Sequence, residues 1–441
     1  MGHDTTEKAH LLSYGQEQQY WRERRGERTS PSLPVSCRID GPLDVTAFAT
    51  ALHAMTLRHD ALRLRIVEDA DGRPGQLLRE PPPKAGLLTL TQVNARSEDQ
   101  FAAFVAKLRR ADLLTPWNLA EQWPFRFRLL RCSPELHVFL ADLPRLTTDG
   151  RARSVFVRDL WDHYARAVEA GGTLPAIRSA GDLLGAVRRQ RDRFDGRSST
   201  VNRAYWEKKF GALTEAAPDG PPDETDAQTP QPALTRYFSL SGPTLGVVRD
   251  HCRLAGASMF QWLLACFAAE VFRRSPRTSI DLTLPMDTRG TGEADLMGKW
   301  AISLPLRIPR CEDPGRILRG LKAEILQTMR HRHITEADLL AAGRPVPAGR
   351  PRHAVNARSR ERAAPGVISL PGGVLVTDHA FAPRVDYGSD GLDLAVGDFP
   401  HRTGVSVRFD PRDHTAADAD AFTEALHRQA RQPVVTEGNL R

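Results

Sequence analysis

Residues 136–150 constrain the fold more than any other stretch of the chain. An apolar run from Leu136 to Leu143 ends in Pro144-Arg145-Leu146-Thr147-Thr148-Asp149-Gly150. A short run of this kind, bounded by a turn, reads as a buried strand. Helical periodicity resumes at 155–168, with Trp161 and Tyr164 on the apolar side. Strand, Asp-Gly turn and helix therefore form one α/β unit. Residues 126–131 alternate charged and apolar side chains and supply a half-buried partner strand.

The same alternation of helix and strand runs through the rest of the chain. A helix is predicted at 45–57, where Asp44 is a good N-cap and Val45, Phe48, Leu52 and Met55 recur on one face. In the second half a helix at 258–272 carries Trp262, Leu263, Cys266, Phe267 and Val271. Strands follow at 279–284, 302–308, 392–396 and 405–409, and a last helix is capped near Thr415. Residues 171–199 are charged and partly helical, and read as a bridge. Residues 214–235 read as a surface loop, 343–362 as a loop or insertion, and Gly372-Gly373 as a turn. The expected organisation is α/β, with an N-terminal lobe at 1–175, a bridge at 176–200 and a C-terminal lobe at 201–441.

Composition narrows the function classes. With 441 residues, 41% of them hydrophobic, the chain can bury sizeable cores. No apolar run reaches the roughly 18 residues of a membrane span. The polar segment from Met1 to His10 has no signal-peptide core, so a cytoplasmic protein is expected. Cys37, Cys132, Cys252, Cys266 and Cys311 lie far apart, which suits reduced thiols. The net charge of +7 comes from scattered arginines without aromatic interleaving, which argues against nucleic-acid binding and is compatible with an acidic partner. His331 and His333 form the only close histidine pair, and the flanking Arg330 and Arg332 repel a cation, so no metal site is expected. Neither a Gly-rich phosphate loop nor a Gly-x-Ser-x-Gly elbow is present, and no bound cofactor is expected.

The segment at 144–150 stands where the condensation domains of nonribosomal peptide synthetases carry His-His-x-x-x-Asp-Gly. Further pieces resemble that family in its own order. The run from Leu12 to Trp21 looks like the opening motif, and Arg58-His59-Asp60-Ala61-Leu62-Arg63 like the second. Pro116-Trp117-Asn118-Leu119 resembles the Pro-Phe-Asp-Leu segment, and Tyr205-Trp206 the usual Tyr-Trp helix. Leu284-Pro285-Met286-Asp287-Thr288-Arg289 sits where a Thr-Pro-x-x-x-Arg turn belongs. Met297 to Arg307 is similar to Gly-x-Phe-x-Asn-x-Leu-Pro-Leu-Arg. The resemblance covers about residues 10–430. It implies two chloramphenicol-acetyltransferase-like lobes forming a pseudodimer with a central tunnel, here as a free-standing, monomeric protein.

The resemblance also assigns roles to positions. In the family the second histidine positions or deprotonates an amine that attacks an acyl thioester, and the matching residue here is Arg145. Its guanidinium has no acceptor lone pair and cannot be a general base. Pro144, at the first histidine, has lost its backbone N–H. The catalytic motif positions are therefore Arg145, Thr148 and Asp149, with Asp149 expected to be structural. Gly150 is expected to permit the tight turn. Asp149 is expected to pair with Arg289 of the second lobe, and Arg145 to lie in the tunnel. Arg58 and His59 are family positions of structural type.

Substitutes for the base are few. His137 lies about 26 Å from position 145 at roughly 3.3 Å per residue. Asp142 faces the opposite side of a regular strand and reads as an exposed or helix-contacting acid. Thr147 and Thr148 read as local turn caps. Loss of the histidine favours altered or lost catalysis, with binding of an acidic carrier protein or recruitment of a tailoring enzyme. The alternative is an acyltransferase that forms an amide or ester without the histidine. Phosphopantetheine enters only as the arm of the carrier.

Overall fold

A computed structural model describes residues 9–25, 31–193, 197–211, 233–276, 278–342, 355–360, 367–378 and 392–432. In chain order the elements are α1 (Tyr14–Arg24), β1 (Ser32–Asp40), α2 (Val45–Arg58), β2 (Leu64–Glu68), β3 (Pro74–Leu78), β4 (Leu88–Gln92), α3 (Glu98–Leu114), β5 (Arg126–Ser133), β6 (Leu136–Pro144), α4 (Gly150–Glu169) and α5 (Leu183–Asp192). They continue with α6 (Arg197–Gly211), β7 (Leu234–Ser241), α7 (Gly242–Leu254), α8 (Met259–Arg274), β8 (Ser279–Met286), β9 (Ile302–Pro309), α9 (Pro314–Arg330) and α10 (Glu336–Ala341). The last are β10 (Val355–Arg360), β11 (Val367–Leu370), β12 (Val374–Asp378), β13 (Leu392–Phe399), β14 (Arg402–Phe409) and α11 (Ala416–Arg431). Among the described residues no single helix is long and apolar enough to cross a membrane.

The chain folds into two compact α/β units. The first takes Met1–Asp195 together with two later segments, Thr288–Ala301 and Ala364–Val385. Its sheet runs β11-β12-β1-β6-β5-β4, with only the β4–β5 pair parallel. β6 lies inside this sheet and is buried almost throughout. Its period-2 alternation sorts side chains to two layers. Phe139, Ala141 and Leu143 join the core under α2 and α4, where Phe48 stacks on Trp161 at 5.6 Å and meets Phe139 edge-on at 5.0 Å. Val138 and Leu140 face Phe101 and Val105 of α3. α5 lies in the stretch expected as a bridge, and its Leu183, Ala186 and Val187 belong to the first unit's core.

The second unit comprises Gly196–Asp287, Ile302–Ala363 and Asp386–Arg441. Its sheet runs β7-β14-β13-β10-β8-β9, with β10 parallel to both neighbours. α8 is buried along nearly its whole length, consistent with its apolar sequence, and Phe267 packs edge-on against Phe422 of α11 at 5.4 Å. Its Cys266 thiol is fully enclosed, and burial pushes it well above the usual range. α11 starts from a Thr415 cap as expected.

Three expectations need adjustment. The stretch at 343–362 is not all loop, because 355–360 is strand β10. A parallel strand with neighbours on both sides need not keep the alternation that marks a half-solvated one, so its sequence signal is weak. The loop expected at 214–235 falls mostly outside the described residues, and its end already belongs to β7. Residues 288–301, expected within the second lobe, pack with the first unit. Gly372 and Gly373 do turn the chain between β11 and β12, both with positive φ.

Candidate functional site

Asp149 is the hub of the turn between β6 and α4. It is the N-cap of α4, and its Oδ1 accepts the Ala152 N–H at 2.9 Å. Arg289 donates two parallel bonds, Nη2 to Oδ1 at 2.9 Å and Nη1 to Oδ2 at 3.0 Å. The backbone N–H groups of Trp300 and Ala301 reach Oδ2 at 2.9 and 3.1 Å. Both charged side chains are almost wholly buried, at 4% and 3% exposure. Burial alone would raise the Asp149 carboxyl, but Arg289 and the Ala152 N–H outweigh it and hold it below its ordinary value. The expected partnership of Asp149 with Arg289 is present, and both residues belong to the first unit.

The segment carrying Arg289 and Trp300 is held from the α1 side as well. Ser13 caps α1 and donates its hydroxyl to the Lys299 carbonyl at 2.5 Å. Gly15 permits this approach. A Cβ there would stand 2.7 Å from the Lys299 oxygen and 2.9 Å from that of Ala301. Gln190 of α5 accepts the Tyr14 N–H at 3.1 Å and donates to Thr288 Oγ1 at 2.7 Å. Thr288 in turn donates to the Trp300 carbonyl at 2.6 Å. The Lys299 main chain is therefore fixed from two directions.

Gly150 departs from its expected role. It is the first residue of α4, its φ is not positive, and a Cβ built on it meets nothing within 4 Å. The turn does not need glycine there, because Asp149 makes the corner in extended geometry, at φ −118°.

The other motif positions separate by environment. Arg145 is partly buried just past β6, with its N–H bonded to the Pro31 carbonyl at 3.0 Å. Thr147 donates to the Pro144 carbonyl at 3.4 Å, which is the local cap expected of it. Thr148 is buried, and its hydroxyl has no hydrogen-bond partner among the described residues. Asp142 is not exposed. It lies on the α3 face of β6 and pairs with Arg109 at 2.9 Å, both side chains nearly fully buried. Burial raises the Asp142 carboxyl and lowers Arg109. His137 is buried on β6, and burial followed by Arg131 depresses it to about 4.

Arg58 and His59 converge on Asp159 of α4, at 2.8 and 3.0 Å, with Arg158 on its other oxygen at 2.7 Å. This buried junction ties α2 to α4. The ring of His331 stacks on Tyr205 with centroids 4.1 Å apart, and its Nδ1 lies 2.9 Å from Asn202 Oδ1. Among the described residues no cluster of three or more His, Cys, Asp or Glu side chains is arranged to hold a metal.

Sequence reasoning missed Lys299. It occupies the variable position of the Gly-x-Phe-like motif, between Gly298 and Trp300, so only the folded chain draws attention to it. Its side chain is partly buried, and that burial lowers its ammonium to about 8. Asp149 and Glu23 oppose this shift, while Arg145 and Arg22 add to it.

Comparison with known proteins agrees with this geometry. Residues 7–344 match the family described as Condensation domain. A linear gramicidin synthase of Brevibacillus parabrevis is 25% identical over 63% of this chain. Isonitrile lipopeptide synthase of Streptomyces coeruleorubidus is 28% identical over 74% of it. The matched regions span only 4% and 22% of those proteins. Among solved structures, the first condensation domain of the calcium-dependent antibiotic synthetase, in complex with substrate analogue 3a, aligns with a TM-score of 0.77 and 17% identity, over 97% of this chain and 96% of that one. The X-domain from teicoplanin biosynthesis, solved in complex with OxyB, aligns with a TM-score of 0.76 and 19% identity, over 98% and 96%. At these identities the structural likeness shows the fold alone.

Proposed function

The chain belongs to the condensation-domain family of nonribosomal peptide synthetases, and on that premise we propose that it transfers a carrier-borne acyl group by altered, histidine-independent chemistry. The observation supporting this reading is the contrast within one turn. The scaffold half is intact, with Asp149 holding Arg289, Trp300, Ala301 and the start of α4. The base is gone. Arg145 cannot accept a proton, Asp142 is committed to Arg109, and Thr147 to the turn. Orientation of two bound reactants can still contribute about 7–11 kcal/mol to lowering a barrier. The donor would arrive as a thioester on the phosphopantetheine arm of an acidic carrier protein, to which a net charge of +7 is complementary.

Recruitment is the second reading, favoured by the arginine at position 145 and by the likeness to the X-domain solved with OxyB. Under it the chain binds a loaded carrier and a tailoring enzyme and forms no bond itself. Native mass spectrometry with an aminoacyl-loaded carrier protein, combined with chromatographic detection of product, separates the two. A complex with amide or ester product supports transfer, a complex without product supports recruitment, and no complex removes both.

A further inference from the structure

The residue that stands out beside the Asp149 turn is Lys299. Its carbonyl is pinned by Ser13, and the next two backbone N–H groups are spent on Asp149. Its root is therefore as rigid as the turn itself. Its amine end has no such anchor. Among the described residues no carboxylate lies within ion-pairing distance of it, since the Asp149 oxygens already serve Arg289, Ala152, Trp300 and Ala301. The charged groups facing it are Asp149 at the head of α4, Arg145 in the turn after β6, and Arg22 and Glu23 on α1. Glu23 is engaged by Gln19 at 2.7 Å.

We propose that Lys299 is the proton acceptor for the attacking amine or hydroxyl, in the place left by the missing motif histidine. This rests on the acyl-transfer reading. A base must carry a lone pair, which a guanidinium lacks and a neutral amine has. With an ammonium titrating near 8, about one Lys299 in ten is neutral at pH 7, against fewer than about one in a thousand for an ordinary lysine. In the step, the acceptor nitrogen or oxygen bonds to the thioester carbonyl carbon and its proton passes to Lys299 Nζ. The tetrahedral intermediate then collapses with cleavage of the C–S bond, and the Lys299 ammonium returns the proton to the departing thiolate. Atoms and charge balance without a further reactant.

Two measurements test this. In the first, product formation is followed from a panel of aminoacyl and fatty-acyl N-acetylcysteamine thioesters with amino-acid amides as acceptors. Lys299→Met should lower the rate at least about 100-fold, as expected for loss of a general base. Lys299→Arg should not rescue it, and the wild-type limb with a midpoint near pH 8 should vanish from both variants. In the second, the wild-type protein is pulsed with acetic anhydride across a pH series and the modified lysines are read by mass spectrometry. Lys299 should react with a midpoint near pH 8, well below surface lysines. Active wild type with an unaltered Lys299→Met variant overturns the inference alone. A Lys299 that labels only in step with surface lysines also overturns it. Absence of product from the wild type overturns both the inference and the acyl-transfer reading.

Discussion

Asp149 and Arg289 meet through two parallel N–H···O bonds of 2.9 and 3.0 Å, although 140 residues separate them in the chain. The pair is buried, so its members depend on each other. A guanidinium left there without its carboxylate would face the full cost of desolvation. Asp149→Ala is expected to destabilise the protein by about 3–5 kcal/mol, the range for breaking a buried pair from one side. Asp149→Asn keeps an acceptor for the helix cap and should cost less. Thermal melts of both variants check this, and a melting temperature unchanged in Asp149→Ala would refute it.

The Arg109–Asp142 pair makes a contrasting prediction. Burial lowers Arg109 and raises Asp142, so both ions are held against their solvation. Asp142→Ala should cost about 3–5 kcal/mol by stranding Arg109. The double change Arg109→Met with Asp142→Leu should be near neutral or stabilising, because an apolar pair of similar volume avoids desolvation. Urea unfolding midpoints of the single and double variants distinguish the two outcomes.

Acid should weaken the fold before it touches the Asp149 hub. His59, His137 and His163 are buried, and burial, the largest influence on each, lowers all three. A histidine whose folded value lies below the unfolded one takes up protons preferentially in the unfolded chain. Stability is therefore complete above about pH 6.5 and declines toward pH 4, with His137 alone contributing roughly 2–3 kcal/mol of the loss. Replacing His137 with leucine should flatten the denaturation midpoint across this window, and an equally steep wild-type and variant profile would rule the account out.

Two glycines beside the site should respond in opposite ways to alanine. Gly15→Ala places a Cβ within 3 Å of two anchored carbonyls and should cost about 1–3 kcal/mol, shifting α1 away from the Lys299 backbone. Gly150→Ala meets open space at an ordinary φ and should be neutral or stabilising by about 0.4–1 kcal/mol. Calorimetry on the two single variants suffices, and equal destabilisation by both would contradict the geometry.

Much of this protein was readable from local pattern. The strand at β6, the Asp-Gly junction and the helix after it follow from an apolar run, a capping residue and a helical period within some thirty residues. Helices α2 and α11 were legible for the same reason, each announced by a cap and an apolar face. The pairing of Asp149 with Arg289 was legible only through the motif resemblance, since no periodicity connects residues so far apart. Arg109 beneath Asp142 was not legible, because an arginine in an amphipathic helix looks solvated until the sheet covers it. Nor was strand β10, whose neighbours come from distant parts of the chain.

Local sequence decided where strands, helices and their caps form, because those depend on side-chain periodicity and on hydrogen bonds spanning a few residues. It also decided that position 145 carries no base. Only the tertiary structure decided which charges lose their water and which backbone segments are brought together. Desolvation and proximity arise when segments remote in sequence close over one another. Lys299 is the clearest case: an ordinary lysine in the sequence, it is altered by Ser13, Gly15 and Asp149 converging on its backbone and by the burial that follows.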